Sequence, residues 1–171
     1  MQSERLPHSE SSHNSGFTLL EVILVLVLIG VFTVLAIAQH SASDVGISSQ
    51  TRVLAAHLRY AQMRSMNTDT SWGIFYNNRD GYYQLFRGST ANIAQLPGEE
   101  GDRFNLGAMG MTISSAKASE TPVARDFTVQ FNSWGSPQSD IAEDETLILQ
   151  LTEPGHAPQT ITVTRNTGFI P

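Results

Sequence analysis

An uninterrupted apolar stretch near the amino terminus constrains this chain more than any other feature. Residues 22–38 read VILVLVLIGVFTVLAIA and contain no charge. As a helix this stretch spans about 25 Å, at roughly 1.5 Å per residue. Together with residues 17–21 it reaches the length of a transmembrane helix. No comparable stretch follows it. The sequence therefore predicts one membrane-spanning helix followed by a soluble domain.

Composition narrows the classes of protein to which the chain can belong. Of its 171 residues, 40% are apolar and only 15% are charged, well below the charged quarter of an average soluble domain. The formal net charge is -6, so the chain lacks the general basic surface on which nucleic-acid binding depends. It has no cysteine, which excludes disulfides, thiolate catalysis and cysteine-bound zinc.

Two ordinary membrane segments are alternatives for the apolar stretch. A secretory signal peptide is one, because Ala36 and Ala38 match the small residues of a cleavage site, but the apolar core is too long for that class. An uncleaved single-span anchor is the other. Neither alternative explains Glu21, which lies at the edge of the apolar stretch. A carboxylate within a membrane costs a few kcal/mol and usually marks a functional residue.

The residues around Glu21 carry a family resemblance. Residues 16–22 read GFTLLEV and precede the apolar stretch, which resembles the class III signal of type IV pilins and type II secretion pseudopilins. The resemblance implies that a membrane prepilin peptidase cleaves between Gly16 and Phe17 on the cytoplasmic side. It also implies N-methylation of Phe17 and retention of the apolar helix in the mature protein.

Physical chemistry is consistent with each implied role. Gly16 offers no side chain to obstruct an extended cleavage site, and cleavage frees a cationic amine on Phe17. In a fibre of staggered helices, Glu21 of one subunit meets the Phe17 amine of a neighbour, so that each charge offsets the cost of burying the other. Glu21 then sets the assembly register. The alternative is a carboxylate near a helix start that the helix dipole alone stabilises.

The predicted leader, residues 1–16, is less basic than leaders of this family usually are. Its one basic residue besides histidine is Arg5, which Glu4 and Glu10 offset. Because carboxylates count little in the positive-inside rule, Arg5 still favours a cytoplasmic amino terminus. The orientation therefore follows from the resemblance more than from charge.

Beyond residue 39 the apolar pattern changes from continuous to one-sided. The spacing predicts that the helix continues from Phe17 to about Asn67 and packs one face against a sheet. We expect Met63 and Met66 to fill the core and His57 to lie on the helix surface or in an interface. The residues on the predicted buried face are Ile47, Leu54, Leu58 and Ala61.

After the helix the period becomes two, which predicts strands. Residues 72–76 and 82–86 form a predicted hairpin around the turn residues 77–81. Residues 88–108 are predicted to be a loop and residues 132–137 a turn. The predicted fold class is α+β, a pilin-like long amino-terminal helix packed on antiparallel sheets. The remaining predicted strands are residues 109–113, 127–131, 146–151 and 160–164.

The order of these segments narrows the resemblance to one subgroup. Residues 54–62, the motif Gly135-Ser136-Pro137 and the later pair Thr167-Gly168 are similar to the H-type minor pseudopilins, the GspH and FimT group. That subgroup implies a structural subunit involved in protein export across the outer membrane. The alternative is a minor type IV pilin of the FimT kind, serving pilus biogenesis and DNA uptake, but here no basic residue follows Arg165.

Catalytic and metal-binding motifs are absent from the sequence. It contains no G-x-S-x-G, H-E-x-x-H, Walker A or G-x-G-x-x-G motif, and its five histidines are dispersed. We therefore expect no enzyme activity, no cofactor and no metal site. Asp140, Glu143, Asp144 and Glu145 cluster before a predicted strand, and whether this loop binds calcium is left open because it lacks a regular ligand spacing.

The predictions combine into one domain plan. Residues 1–16 are a removed leader, residues 17–39 a transmembrane and assembly helix, and residues 40–171 a periplasmic α+β domain. The resemblance places the protein in the bacterial inner membrane as a single-pass protein and then in a periplasmic pseudopilus. Its implied partners are prepilin peptidase, other major and minor pseudopilins and the inner-membrane assembly platform, whereas nucleic acid is not an expected partner.

Overall fold

A single long helix leads into the folded part of the chain. The computed structural model describes residues 18–140, 142 and 145–171, with residues 34–45 described by their backbone alone. Two compact units are present, Met1–His40 and Ser41–Pro171. Helix α1 runs from Leu19 to Met66, which confirms the predicted helix over that range.

The second half of α1 buries one face. Ile47, Leu54, Leu58 and Ala61 are each at most 1% exposed, as their spacing of seven, four and three residues predicts. Arg52 is exposed on the same stretch of helix. The amphipathic pattern therefore positions the helix on the sheets, and these four side chains belong to one core cluster with the strand residues.

Ten strands follow the helix within the described residues. They build two antiparallel sheets. The strands are β1 (Trp72–Asn77), β2 (Tyr82–Arg87), β3 (Ser89–Ala94), β4 (Phe104–Asn105), β5 (Thr112–Lys117), β6 (Val123–Ala124), β7 (Phe127–Phe131), β8 (Pro137–Ser139), β9 (Leu147–Thr152) and β10 (Gln159–Val163).

Each of the ten strands belongs to one of the two sheets. The first sheet has the order β3-β2-β1-β7-β8, with β4 also paired to β2, and the second has the order β10-β9-β5-β6. In β7 and β9, buried residues alternate with half-buried ones, the pattern of strands with one face in a core. This confirms the predicted α+β fold.

The predicted strands agree with the structure where apolar residues alternate. The hairpin of β1 and β2 and the strand β7 lie where they are predicted, whereas β5 begins three residues later than residue 109. The predicted loop at residues 88–108 is wrong, because it contains β3 and β4. Half of the six residues of β3 are polar and five of the six are exposed, so no alternation marks them as a strand.

Gly73 lets three strands approach closely in the first sheet. A Cβ atom at this position would lie 2.5 Å from the Val129 carbonyl oxygen and 2.7 Å from Cζ of Phe86. Gly73 pairs with Phe86 on one side and with Gln130 on the other. The glycine in the middle of β1 is therefore required by packing, since any side chain would displace β2 or β7.

His57 is buried where α1 packs on the rest of the chain, so of its two predicted places, the helix surface and an interface, the surface is wrong. Its ring is 4% exposed, with Nδ1 2.9 Å from the Tyr83 hydroxyl and Nε2 3.1 Å from the Pro97 carbonyl oxygen. Because a carbonyl oxygen only accepts, Nε2 carries the proton, and Nδ1 accepts from the tyrosine hydroxyl. This pair of bonds ties α1 to β2 and to the segment after β3.

Burial keeps both members of this pair neutral. Desolvation lowers the pKa of His57, against smaller opposing effects of the Pro97 carbonyl and of Glu99. Desolvation also raises the pKa of Tyr83, and the nearby Glu99 adds to the rise. A neutral imidazole can accept from a protonated phenol, so the two shifts maintain the hydrogen bond.

The packing at Gly73 leads to a prediction about stability. We expect a fragment starting at residue 45 to fold by itself, because Ser41–Pro171 is a compact unit. In that fragment Gly73→Ala should lower the free energy of unfolding by about 1–3 kcal/mol, the usual cost of overpacking. The measurement is denaturant unfolding followed by fluorescence of the buried Trp72. Gly101→Ala is the control, because a Cβ there makes only ordinary contacts; an equal loss in both variants would contradict the prediction.

The pKa of His57 leads to a prediction about pH. Because that pKa is lower in the folded chain than its ordinary value of 6.5, the unfolded chain binds the proton more readily. The free energy of unfolding should therefore decrease as the pH falls below about 6.5. His57→Gln keeps a donor and an acceptor but does not titrate, so its free energy of unfolding should change less between about pH 7.5 and pH 5.5. Parallel pH profiles of the two proteins would show that His57 does not cause the dependence.

Candidate functional site: the apolar helix and its first turn

Thr18 caps the amino terminus of α1. Its Oγ1 accepts from the backbone N–H of Glu21 at 3.2 Å, and its carbonyl oxygen accepts from Glu21 and Val22. The sequence Thr-Leu-Leu-Glu has the spacing of a capping box. Glu21 therefore lies in the first helical turn, where the helix dipole favours a carboxylate.

The helix that follows is apolar on every side and uncovered. Its large apolar side chains between residues 19 and 32 are 46–80% exposed. Globular proteins rarely expose so much apolar surface, and a helix that is apolar all round is normally buried. This surface is therefore one that another apolar phase or another helix must cover.

Glu21 is the one charged residue between residues 18 and 33. It is exposed and borders a shallow groove formed with Val22, Val25 and Leu26. A carboxylate beside an apolar groove can form an ion pair with a cationic group of a second molecule, while apolar groups of that molecule cover the groove. The predicted assembly role of Glu21 stays a prediction.

Gly16 and Phe17, the predicted sites of cleavage and N-methylation, lie outside the described residues. Cleavage after Gly16 and methylation of Phe17 therefore stay predictions. The predicted span of residues 17–39 also includes side chains that are not described.

Within the described residues, no helix is both long enough and apolar enough to cross a membrane.

Two of the acidic loop residues bind backbone or hydroxyl groups of their own chain. Oδ1 of Asp140 accepts from the N–H of Thr128 at 2.9 Å, and Oε2 of Glu145 accepts from the hydroxyl of Ser119 at 2.7 Å. This hydroxyl lowers the pKa of Glu145. Residues 143–144 lie outside the described residues, and among the residues that the structure describes no three potential metal ligands come together.

Sequence reasoning missed a junction at Gln62. Its amide nitrogen lies 2.8 Å from the carbonyl oxygen of Gly135 and 3.0 Å from those of Thr167 and Gly168. The junction thus joins the helix to the two short motifs that carry the subgroup resemblance. That resemblance was the only signal in the sequence, because the three segments are far apart along the chain.

The junction leaves no room for a side chain at Gly168. This residue has φ +61, and a Cβ would lie 2.2 Å from the Gly135 carbonyl oxygen. Beyond it, the carbonyl oxygen of Ile170 accepts from Nε of Arg59 at 3.2 Å, and the Ile170 side chain is 4% exposed. Ile170 therefore belongs to the core, and its carbonyl is held against α1.

The prediction that Met63 and Met66 fill the core is wrong. Their side chains are 48% and 50% exposed. Met63 and Met66 are four and seven residues after Arg59, so they lie on the same face of α1 as Arg59. This face is not the buried one. An apolar residue type is thus a weaker guide than its position on the helix.

The comparisons with known proteins agree with the motif and the fold. The prokaryotic N-terminal methylation motif matches residues 11–37. No curated protein matches the chain.

Solved structures of pilin-like proteins resemble this chain. The minor pseudopilin EpsH from the type 2 secretion system of Vibrio cholerae has a TM-score of 0.51 at 10% identity, covering 75% of this chain and 94% of its own. A second EpsH structure gives 0.49 at 12% identity, with coverages of 75% and 92%. The type IV minor pilin FimU of Pseudomonas aeruginosa gives 0.48 at 14% identity, with coverages of 74% and 87%. The chain thus combines a prepilin methylation motif with the α+β fold of a minor pseudopilin, which confirms the predicted resemblance to type IV pilin-like proteins.

Proposed function

We propose that this chain is a structural subunit of a type II secretion pseudopilus, of the H-type minor pseudopilin kind. It is made as a prepilin in the bacterial inner membrane, with its α+β domain in the periplasm. The observation that carries the proposal is the uncovered apolar helix surface between residues 19 and 32 with Glu21 in its first turn. The methylation motif over residues 11–37 and the EpsH-like fold support it.

Processing prepares the helix for assembly. Prepilin peptidase removes residues 1–16, and the new amine of Phe17 is methylated. Phe17 directly precedes Thr18, the residue that caps α1, so the new amine is next to the positive end of the helix dipole. The helix dipole of its own chain repels a cationic amine at that end. An ion pair with a carboxylate of another chain offsets this repulsion.

Assembly moves the apolar helix from lipid into a bundle of similar helices. The pairing of Glu21 with the Phe17 amine of an adjacent subunit fixes the axial stagger, because either charge buried alone costs a few kcal/mol. Repetition of one heterologous contact whose rotation does not close gives a filament and not a ring. Other pseudopilins and the inner-membrane assembly platform are the partners in this step.

Leader removal is the first test of the proposal. The mature protein extracted from membranes should begin at Phe17 and carry a methylated amine, which intact-mass measurement detects. Gly16→Val should block the cleavage, since a β-branched side chain crowds the scissile bond. A mature protein that retains Met1, or one cut after Ala38, would contradict the proposal.

The role of Glu21 is the second test. Glu21→Ala should leave cleavage and membrane retention intact, because the leader is unchanged and a costly carboxylate is removed from the apolar helix. It should enter fibres at least about tenfold less well, since the unpaired amine of the adjacent subunit costs more than about 1.4 kcal/mol. The measurement is recovery of the variant with sheared fibres.

Two further variants separate pairing from local capping. Glu21→Gln keeps a polar side chain in the first turn but removes the charge, so it should fail as Glu21→Ala does. Thr18→Ala removes the hydroxyl that caps Glu21 N–H but keeps the carboxylate, so it should assemble. If Thr18→Ala fails to assemble and Glu21→Gln assembles, then Glu21 stabilises the first turn of its own helix and does not pair with the adjacent subunit.

A further inference from the structure

Exposed apolar side chains cluster at one place on the α+β unit. Within the described residues after residue 45, seven large apolar side chains are exposed. Four of them lie around Gln62: Met63 at 48%, Met66 at 50%, Trp134 at 85% and Phe169 at 63%. We call these four side chains the Trp134 patch. Single exposed apolar residues are ordinary, but a cluster marks a contact surface.

Contacts of the described residues bring together the three segments that carry the patch. The amide nitrogen of Gln62 reaches the carbonyl oxygens of Gly135 and Gly168, which are the chain neighbours of Trp134 and Phe169. A Cβ at Gly135 would lie 2.8 Å from the sulfur of Met66. The helix, the loop after β7 and residues 167–169 therefore lie next to one another, and each carries exposed apolar side chains.

The loop that carries Trp134 is held in one conformation. Oδ1 of Asn132 accepts from the N–H of Trp134 at 2.9 Å and of Ser136 at 3.0 Å. The Ser136 hydroxyl donates to the carbonyl oxygen of Asn166 at 2.8 Å. A rigid loop loses little entropy on binding, and tryptophan is the residue type most enriched among binding hot spots.

The charge around the patch is segregated. The three segments that build it, residues 45–68, 127–139 and 154–171, contain no Asp or Glu, although the chain has 16. Arg59 lies one helical turn before Met63 and donates to the carbonyl oxygens of the last residues. The patch is therefore apolar with a cationic border, on a chain of net charge -6.

We infer that the Trp134 patch binds an acidic segment of a neighbouring pilin-like subunit, an inference that rests on the proposed function. The neighbour's apolar side chains cover Trp134 and its carboxylates face the border at Arg59, so the two surfaces are complementary in charge. A nucleic acid is a poorer occupant, because its uniform negative charge meets an acidic chain beyond the border. The contact is separate from the helix contact at Glu21.

The test is site-specific crosslinking of the full chain in the cells that make it. The photoreactive residue p-benzoyl-phenylalanine replaces Trp134 in one strain and Met109 in a control strain. Met109 is also exposed, at 44%, and belongs to the 3₁₀ turn Gly107–Met109. Mass spectrometry should identify, at position 134 only, an acidic peptide from a chain that itself carries an N-terminal methylation motif.

A substitution completes the test. Trp134→Ala should reduce recovery of the chain with that partner about tenfold, the factor expected for one hot-spot side chain, whereas Met109→Ala should not. Arg59→Gln, which keeps a donor for the last residues but loses the charge, should reduce crosslinking at position 134. Equal crosslinking at positions 134 and 109, or products containing nucleic acid or a protein without the methylation motif, would overturn the inference.

The same strains separate this inference from the proposed function. Loss of residues 1–16 and the Glu21 dependence of fibre entry are measured in parallel. If both occur and position 134 gives no specific product, the patch inference alone is overturned. If the leader is retained, the proposed function fails first.

Discussion

The buried face of α1 between Ile47 and Ala61 is the contact around which the α+β unit is built. These side chains share one core cluster with strands of both sheets, so the helix and the two sheets are buried together. One helix thus presents two kinds of surface, apolar all round near Leu19 and one-sided after residue 45. A helix that is apolar all round must be covered on every side, whereas a one-sided helix needs cover on one face only. The hydrophobic pattern of the sequence changes between these two parts of the helix.

Polar groups specify how the helix sits on the sheets. His57 bonds to Tyr83 and Pro97, and Gln62 bonds to carbonyl oxygens of two distant loops. Apolar contacts tolerate small shifts, but a buried donor that loses its acceptor costs about 1–3 kcal/mol. These two residues therefore select one axial position of α1 among those that the apolar stripe alone would allow.

The one-sided pattern after residue 45 was enough to predict the second half of the helix, and strand-forming residues around a turn predicted the first hairpin, although its strands are buried on both faces. Periodicity failed at β3, whose residues are mostly exposed, and at β8, which follows a turn and begins with Pro137. It also failed at the acidic loop, where Asp140 and Glu145 bond to residues 12 and 26 positions away. Glu21 was found because a lone carboxylate in an apolar run is costly, whereas Gln62 was missed because an amide on a helix has no such signature.

The tight fit at Gly168 has a consequence for the genetics of this protein. A nonsense codon at that position would remove residues 168–171. Here it would remove the buried side chain of Ile170, two acceptors of Arg59 and one acceptor of Gln62. Short carboxy-terminal truncations and missense changes at Gly168 should therefore be recovered together, as one class of folding-defective alleles.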